Sequence, residues 1–260
     1  MSPLPTIATT RAMAPSRRNY AAGEACAAVA GTLTVAAANA QAFIEAGAAL
    51  QLRRGGSKAM SDLDHWEQRY ARPDYLFGTV PNAFLAAQKR RLRPGTKALA
   101  IADGEGRNGV WLAEQGLAVT AIDFSPTALA KARRLAAERG VAVEFLQADL
   151  ATWAWPQAAY DVVVAIFIQF AWPELRTKIF AGMKQALKPG GLLLIQGYRP
   201  EQIAYGTGGP RIPEHLYTRP LLENAFADLS SLEIREHDSV IHEGSGHDGM
   251  SALIDLVGIK

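Results

Sequence analysis

The 260-residue sequence lacks several features that would assign it to other classes of protein. Its only cysteine is Cys26, which excludes an intrachain disulfide and a cysteine-ligated zinc cluster. Residues 61–260 show no internal repeat and no low-complexity segment. With 49% hydrophobic and 20% charged residues, the chain has the composition of a globular protein that buries a large core.

The chain also lacks a strong excess of charge, and its small net charge of +2 conceals a difference between two parts. Residues 1–60 carry a net charge of +4, whereas residues 61–260 carry −2. Nucleic-acid binding needs clustered positive charge, so a slightly acidic main domain argues against a polyanionic partner. We therefore expect no nucleic acid among the partners.

An alanine-rich segment precedes the main domain. Seventeen of the first fifty residues are alanine, and residues 25–44 carry no charge. A secretory signal would use Arg17 and Arg18 as its basic flank, while a membrane helix would need a more apolar run than alanine supplies. The third interpretation is a leader, disordered or not native, with translation starting at Met60. We favour this leader for residues 1–60, with one domain over residues 61–260 and no membrane partner.

From residue 98 onward, short apolar runs alternate with segments of helix length. Continuous apolar strands separated by helices are typical of a parallel sheet covered on both faces. The last two strand candidates are too close for a crossover helix, so we expect them to pair antiparallel at one edge. The pattern predicts an α/β fold, a Rossmann-like, doubly wound, mostly parallel seven-stranded sheet with an antiparallel edge hairpin. The predicted strands are Ala98–Ala102, Leu117–Ile122, Val141–Leu146, Asp161–Phe167, Leu192–Gln196, Leu232–His237 and Met250–Val257.

A glycine-rich turn, Gly104-Glu105-Gly106-Arg107-Asn108-Gly109, follows the first predicted strand and opens a helix. Glycines let a ligand approach the backbone, and a helix N-terminus offers free N–H groups. Asp123 ends the second strand, where its carboxylate can bridge two ribose hydroxyls. The pattern alone fits a dinucleotide as well as any other nucleoside, and it also fits a tight turn that binds nothing.

A second carboxylate, Asp149, follows the third strand and suits an adenine amino group. With the turn at residues 187–191 before the fifth strand, the run from Ala98 to Gln196 resembles class I S-adenosylmethionine-dependent methyltransferases. Four segments resemble in particular the tellurite-resistance (TehB-like) branch of small-molecule methyltransferases: Trp66–Tyr70, Phe77–Asn82, Asp103–Asn108 and Gly206–Pro210.

This resemblance implies S-adenosyl-L-methionine as the cofactor. It places the two loop glycines beneath the methionine and ribose, Asp123 on the ribose hydroxyls, Asp149 on the adenine edge, and two aromatic residues in an N-terminal lid. Most members carry an acid two residues before the first motif glycine, where this chain has Ala102, so Asp103 is the candidate for binding the methionine ammonium. The implied cofactor-binding residues are Tyr70, Phe77, Asp103, Gly104, Gly106, Asn108, Asp123, Phe124, Asp149, Leu150 and Ile166.

The candidates for acceptor chemistry lie late in the chain, in a loop between the last two strands. His247 and Glu243 are the candidate catalytic residues, because an alcohol or phenol acceptor would need a base. The alternative is a solvent-exposed hairpin loop that binds nothing, and we expect no metal site there. Arg199, after the fifth strand, either holds an anionic acceptor or is solvated.

The predicted function is methyl transfer from S-adenosylmethionine to a small molecule, such as a thiol or a chalcogen oxyanion like tellurite. One alternative is an NAD-dependent oxidoreductase, although the chain has no Tyr-x-x-x-Lys pair; another is a non-catalytic cofactor-binding module. The Asn/Asp-Pro-Pro-aromatic motif of amino-group methylases is absent after the fourth strand, where Gln169 stands. We expect a cytoplasmic protein, since the methyl donor is made there, and the sequence leaves the oligomeric state open.

Overall fold

The computed structural model describes residues 61–260, and the leader predicted for residues 1–60 lies outside the described residues. The helices are α1 (Asp62–Tyr70), α2 (Ala83–Ala87), α3 (Arg107–Glu114), α4 (Pro126–Arg139), α5 (Pro173–Ala186), α6 (Gln202–Tyr205) and α7 (Arg219–Ala225). The strands are β1 (Lys97–Ile101), β2 (Ala118–Asp123), β3 (Glu144–Gln147), β4 (Tyr160–Ile166), β5 (Leu187–Tyr198), β6 (Ser231–His242) and β7 (Asp248–Ile259).

The strands form one seven-stranded sheet in the order β3-β2-β1-β4-β5-β7-β6. Strands β1 to β5 are parallel, whereas β7 runs antiparallel between β5 and β6. This is the predicted α/β architecture with its antiparallel edge, which is confirmed. The order reverses beside β1, and open α/β sheets bind ligands at the carboxyl ends of the strands at such a point.

The sheet buries apolar side chains on both faces, as the continuous apolar strands predicted. Leu99 packs into a cluster with α5 and α7, while its neighbours Ala98 and Ala100 pack into the opposite cluster with α2 and α3. All three are at most 2% exposed. Because successive strand residues point to opposite faces, the two clusters hold β1 rigidly, and its carboxyl end is a firm support for the loop that follows.

Local sequence signals set the ends of α4. The Ser125 hydroxyl accepts a hydrogen bond from the backbone of residue 128, Pro126 occupies the first turn, and Gly140 ends the helix in the left-handed conformation (φ 67°). No helix in residues 61–260 is both long and apolar enough to cross a membrane.

The edge hairpin is longer than predicted. Strands β6 and β7 have 12 residues each and pair over their whole length, from Ser231↔Ile259 to His242↔Asp248. Residues 238–242 of β6, beyond the predicted strand, expose alternate side chains, so they form no continuous apolar run from which the length of the hairpin could be predicted. Strand β5 also begins five residues early, at Leu187, because the chain stays paired with β4 across a register shift.

Candidate functional site

The glycine-rich loop joins β1 to α3 at the carboxyl edge of the sheet. Gly104 and Gly106 both have positive φ, at 58° and 90°. A Cβ atom on Gly106 would stand 2.6 Å from the Cβ of Ala132, so glycine is what lets α3 begin directly against α4. The predicted strand–turn–helix unit is therefore present, with its backbone exposed on the side where β1 ends.

Asp123 ties this loop to the end of β2. Its Oδ2 accepts a hydrogen bond from the Gly104 N–H and its Oδ1 from the Ser125 N–H, each at 2.9 Å. Burial raises the pKa of Asp123 to about 6, although these backbone hydrogen bonds favour the charged form. The carboxylate thus lies directly beneath the glycine loop, as its place after β2 predicted.

The three residues predicted to contact adenine lie where β2 and β3 end side by side. The N–H of Ala148 donates to the Asp123 carbonyl at 3.1 Å, which brings the two strand ends together. Asp149 is exposed and its Oδ1 accepts from the Ala151 N–H at 2.8 Å, while Leu150 is 7% exposed. Phe124, between Asp123 and α4, is half-buried. The structure therefore places these residues and the ribose candidate along one edge.

Asp103 is the acid nearest the loop glycines. Its two carboxylate oxygens accept hydrogen bonds from the Gly109 N–H at 3.0 and 3.2 Å. Burial raises its pKa to about 7, and the charge of Asp123 adds to that rise, whereas the hydrogen bond and Arg107 oppose it. Within residues 61–260, Asp103 takes part in no ion pair. A ligand ammonium would supply the missing cation, so the residue fits the amino-acid end of S-adenosylmethionine.

Residues 61–88, here called the cover, lie over the glycine loop. Glu67 on α1 accepts hydrogen bonds from the Ser125 hydroxyl and from the Thr127 hydroxyl (2.5 Å) at the start of α4. This fixes Tyr70 above the loop, where a Cβ atom on Gly104 would lie 2.9 Å from the tyrosine hydroxyl oxygen. Phe77 packs edge-on against Tyr70 with ring centroids 6.5 Å apart. Both predicted lid residues thus lie above the glycine loop.

The polar residues inside the glycine loop hold the cover, a role that the sequence analysis missed. Glu105 forms a buried ion pair with Lys131 (2.7 Å) and accepts from the Leu76 N–H at 2.7 Å. Asn108, which was predicted to bind the cofactor, accepts from the Asn82 N–H at 3.0 Å through its Oδ1. The signal in the sequence was a pair of polar side chains, Glu105 and Asn108, between the glycines of a turn expected to be buried. Buried charges need partners, so this pattern could have indicated contacts with another segment.

Residues 243–247, here called the tip loop, join β6 to β7 and close the site from the other side. Glu243 forms a buried ion pair with Arg107 (Oε2–Nη2, 2.7 Å) and accepts from Asn82 Nδ2 (3.0 Å) and the Ala83 N–H (3.2 Å). Gly244 has φ 71°, and a Cβ atom there would stand 2.5 Å from the carbonyl oxygen of the cover's Leu76. Glycine therefore allows the tip loop to touch the cover backbone.

His247 lies under this contact and is 7% exposed. Its ring centroid is 4.5 Å from that of Phe77 and 4.4 Å from that of Phe167. Burial lowers its pKa well below 6.5, and the charges of Arg107 and Arg69 lower it further, so the imidazole is neutral. Nδ1 stands 4.0 Å from Glu243 Oε2, so the two predicted catalytic residues are adjacent.

Two further residues lie beside this group. Ile166 ends β4, is half-buried and pairs in register with Gln196 of β5. Arg199, considered as an anion-binding residue, donates to Asp238 of β6 and to the Leu253 carbonyl (3.1 Å). The guanidinium of Arg199 is thus already engaged at the edge hairpin.

Comparisons with known proteins agree on the central segment. Residues 98–191 match a family described as "Methyltransferase domain". The chain is 36% identical over 108 residues to demethylmenaquinone methyltransferase of Thermus thermophilus, covering 40% of this chain and 48% of that protein. It is 34% identical over 152 residues to the uncharacterized protein YjhP of Escherichia coli, covering 54% of this chain and 58% of the other. The chain thus spans about half the length of the curated relatives it matches.

Solved structures share the fold. TehB from Haemophilus influenzae aligns with a TM-score of 0.58 and 19% identity, covering 76% of this chain and 66% of that one. A structure reported under "Conversion of a Disulfide Bond into a Thioacetal Group during Echinomycin Biosynthesis" aligns with a TM-score of 0.60 and 21% identity, covering 76% and 91%. At these identities the likeness establishes the fold.

Proposed function

We propose that this chain, whose residues 98–191 match a methyltransferase-domain family, binds S-adenosyl-L-methionine and transfers its methyl group to a small-molecule acceptor. The family match confirms the resemblance to class I methyltransferases. The observation that carries the proposal is the placement of two carboxylates at the glycine loop, Asp103 next to Gly104 in the chain and Asp123 hydrogen-bonded to the Gly104 N–H, at the carboxyl edge of the sheet. A nucleoside with a cationic amino-acid tail needs a ribose acceptor and an ammonium acceptor in that arrangement.

The proposed roles are those that the resemblance implies, and the positions of the residues support them. Asp103 takes the ammonium group, Asp123 takes the ribose hydroxyls, and Asp149 with the Leu150 backbone takes the adenine edge, against Phe124. When bound, the cofactor supplies a methyl group already activated by a positively charged sulfur. The protein therefore has two tasks, to align the acceptor with that methyl group and to exclude water.

The cover and the tip loop perform these tasks. Tyr70 and Phe77 exclude water above the glycine loop, and aromatic faces stabilise a nearby cation. His247, kept neutral by burial, is placed to take a proton from an acceptor that must lose one. Glu243 is engaged by Arg107 and Asn82, so its role is to position Arg107 and the tip loop.

Calorimetric titration of the full chain with S-adenosylhomocysteine and, separately, with NAD tests this proposal. We expect S-adenosylhomocysteine to bind, and Asp123→Asn to weaken its binding about tenfold or more, as expected for a lost charge-assisted hydrogen bond. The matched control is Asp161→Asn, since Asp161 pairs with Lys188 and the Lys97 N–H at the opposite end of the sheet. Binding of NAD alone would favour the oxidoreductase alternative and contradict the proposal.

A screen of thiols, halides, tellurite and phenols for production of S-adenosylhomocysteine tests catalysis. Turnover of any acceptor contradicts the alternative of a non-catalytic binding module. Turnover that needs the acceptor and is lost in Asp123→Asn would support a methyltransferase.

A further inference from the structure

We propose that Arg107 and His247 form the acceptor-binding subsite, and that the acceptor is a neutral molecule whose reacting O–H or S–H group sits on an aromatic body. This inference rests on the proposed function and adds to it the class of the acceptor and a residue, Arg107, that binds it.

The first support is a pair of buried polar atoms around one carboxylate oxygen. Arg107 and His247 are 6% and 7% exposed. Arg107 Nη2 lies 2.7 Å and His247 Nδ1 4.0 Å from the same atom, Oε2 of Glu243. Among the described residues, neither Arg107 Nη1 nor His247 Nδ1 has a hydrogen-bond partner. Buried polar groups in proteins are nearly always satisfied, so two such atoms on side chains that flank one carboxylate oxygen point to a ligand group that donates to one and accepts from the other.

The charge of the subsite selects against an anionic acceptor. The Arg107 guanidinium is already offset by Glu243, and the buried His247 ring carries no charge. Neither group therefore supplies a free positive charge to an anion.

The wider surroundings have the same preference. Asp103 and Asp123 lie at the neighbouring cofactor crevice, and neither takes part in an ion pair within the described part of the chain. On the cover, the guanidinium of Arg69 lies 4.5 Å from the centre of the Trp66 ring and 5.7 Å from that of Phe77. The net charge of +1 on one bound cofactor and that of Arg69 equal in magnitude the charge of the two carboxylates, so these groups leave no excess positive charge to stabilise an oxyanion such as tellurite.

The surroundings of His247 are aromatic. Phe77 and Phe167 lie within 4.5 Å of its ring, centre to centre, and Tyr198 lies 5.6 Å away on the side of Gly208. Phe167 in turn stacks on Tyr198 at 4.6 Å. Rings packed this way give the subsite an apolar, aromatic wall that excludes water and suits an aromatic acceptor, so the only polar part of the acceptor is the group that reaches Arg107 and His247.

The step is balanced with these two residues alone. The acceptor's oxygen or sulfur accepts a hydrogen bond from Arg107 Nη1 and donates its proton to Nδ1 of His247. A new bond forms between that atom and the methyl carbon, and the carbon–sulfur bond of the donor breaks with both electrons kept by the sulfur. The products are the methyl ether or thioether and S-adenosylhomocysteine, and the imidazolium later releases its proton to water.

The test measures S-adenosylhomocysteine formation by the full chain near pH 7.5 with four probes: 4-methylphenol, phenylmethanethiol, benzoate and tellurite. We expect turnover of the two neutral probes, with kcat/KM at least about tenfold above that for either anion. Arg107→Lys keeps a cation beside Glu243 and near Asp103 but removes Nη1, so it should raise KM about tenfold and change the affinity for S-adenosylhomocysteine less than about threefold. The control is Arg134→Lys, an exposed position on α4.

His247→Asn separates a chemical role from a structural one. Because a thiol ionises more readily than a phenol and is the stronger nucleophile, loss of the base should lower kcat about 100-fold for 4-methylphenol and less than about tenfold for phenylmethanethiol. A purely structural histidine would lower both equally.

The experiment distinguishes a wrong acceptor subsite from a wrong cofactor assignment. If wild type does not bind S-adenosylhomocysteine, the cofactor assignment fails. If it binds but transfers methyl to neither neutral probe, prefers benzoate or tellurite, or keeps its KM in Arg107→Lys, the acceptor subsite is wrong and the cofactor site stands.

Discussion

Replacing Asp103 with asparagine changes charge with almost no change in shape, so it isolates the electrostatics of the ammonium site. Burial raises the pKa of Asp103 to about 7. The charged and titratable groups that face it are Asp123 on β2, Arg107 on α3 and Tyr70 on α1. A carboxyl with this pKa is about half protonated at pH 7 and about nine-tenths protonated at pH 6. The protonated form cannot pair with an ammonium group.

The affinity for S-adenosylhomocysteine should therefore fall about tenfold, or about 1.4 kcal/mol, for each pH unit below pH 7, because the ligand's amino group keeps its proton over that range. Calorimetry between about pH 5.5 and 7.5 measures this slope, and Asp103→Asn should bind weakly with a flatter dependence on pH. A flat wild-type profile, or the same slope in the variant, would refute the assignment of Asp103 to the ammonium.

The same substitution has the opposite effect on the stability of the free protein. The pKa of Asp103 in the folded state lies above its ordinary value of 3.8, so the stability contribution rises as pH falls through 7 toward 4 and is lowest at alkaline pH. A shift of about three units corresponds to about 4 kcal/mol at most. Since the side chain is half-buried, solvent reduces this, and we expect Asp103→Asn to stabilise the free protein by about 1–2 kcal/mol near pH 8 in urea unfolding.

Three other measurements test the contacts around the site. Lys131→Met leaves the carboxylate of Glu105 buried without its cation and should cost about 3 kcal/mol in urea unfolding, at least half of it recovered by adding Glu105→Gln; equal losses in the two variants would contradict the pairing. Gly244→Ala should lower the free energy of unfolding by more than Gly140→Ala, for which we expect about 1 kcal/mol. Both glycines have positive φ, but only the new Cβ atom at position 244 would contact the cover. Equal losses would mean that the tip loop does not pack tightly against the cover. Since burial and two nearby arginines lower the pKa of His247, the acid side of the kcat profile should fall below pH 6.5, and a fall at higher pH would exclude this residue as the base.

The fold could be predicted because its determinants are local. The β1 and β4 strands are continuous apolar runs, and Ser125 and Gly140 cap α4 at the positions that sequence rules give. Parallel strands place their carboxyl ends at one edge, so the neighbourhood of Asp123 and Asp149 also followed from chain order. The hairpin length did not, since residues 238–242 of β6 and 248–249 of β7 are held by pairing with each other and carry no continuous apolar run.

The contacts that form the acceptor side could not be predicted from the sequence, because they join residues that are far apart in the chain. Arg107 meets Glu243 across 136 positions, and Asn82 joins Gln196 (2.6 Å) and Glu243 (3.0 Å), which lie on β5 and in the tip loop. Gln196 in turn donates to Asp255 on β7 at 2.6 Å. In the sequence, nothing distinguishes these residues from surface polar residues, because their partners are adjacent only in the folded structure. The sequence could name His247 and Glu243 as a pair only because they are four residues apart in one loop.

One short turn connects the two halves of the site. The glycines of the loop give the cofactor access to the backbone, while Glu105 and Asn108 between them hold the cover and Arg107 holds the tip loop. If this turn shifts on cofactor binding, the cover and the tip loop should shift with it. The buried ion pairs and hydrogen bonds that join them, at 2.7–3.0 Å, weaken steeply when they lengthen. The acceptor subsite is complete only when Arg107 keeps its place beside Glu243. Cofactor binding should therefore strengthen acceptor binding, and reciprocally, by the same factor.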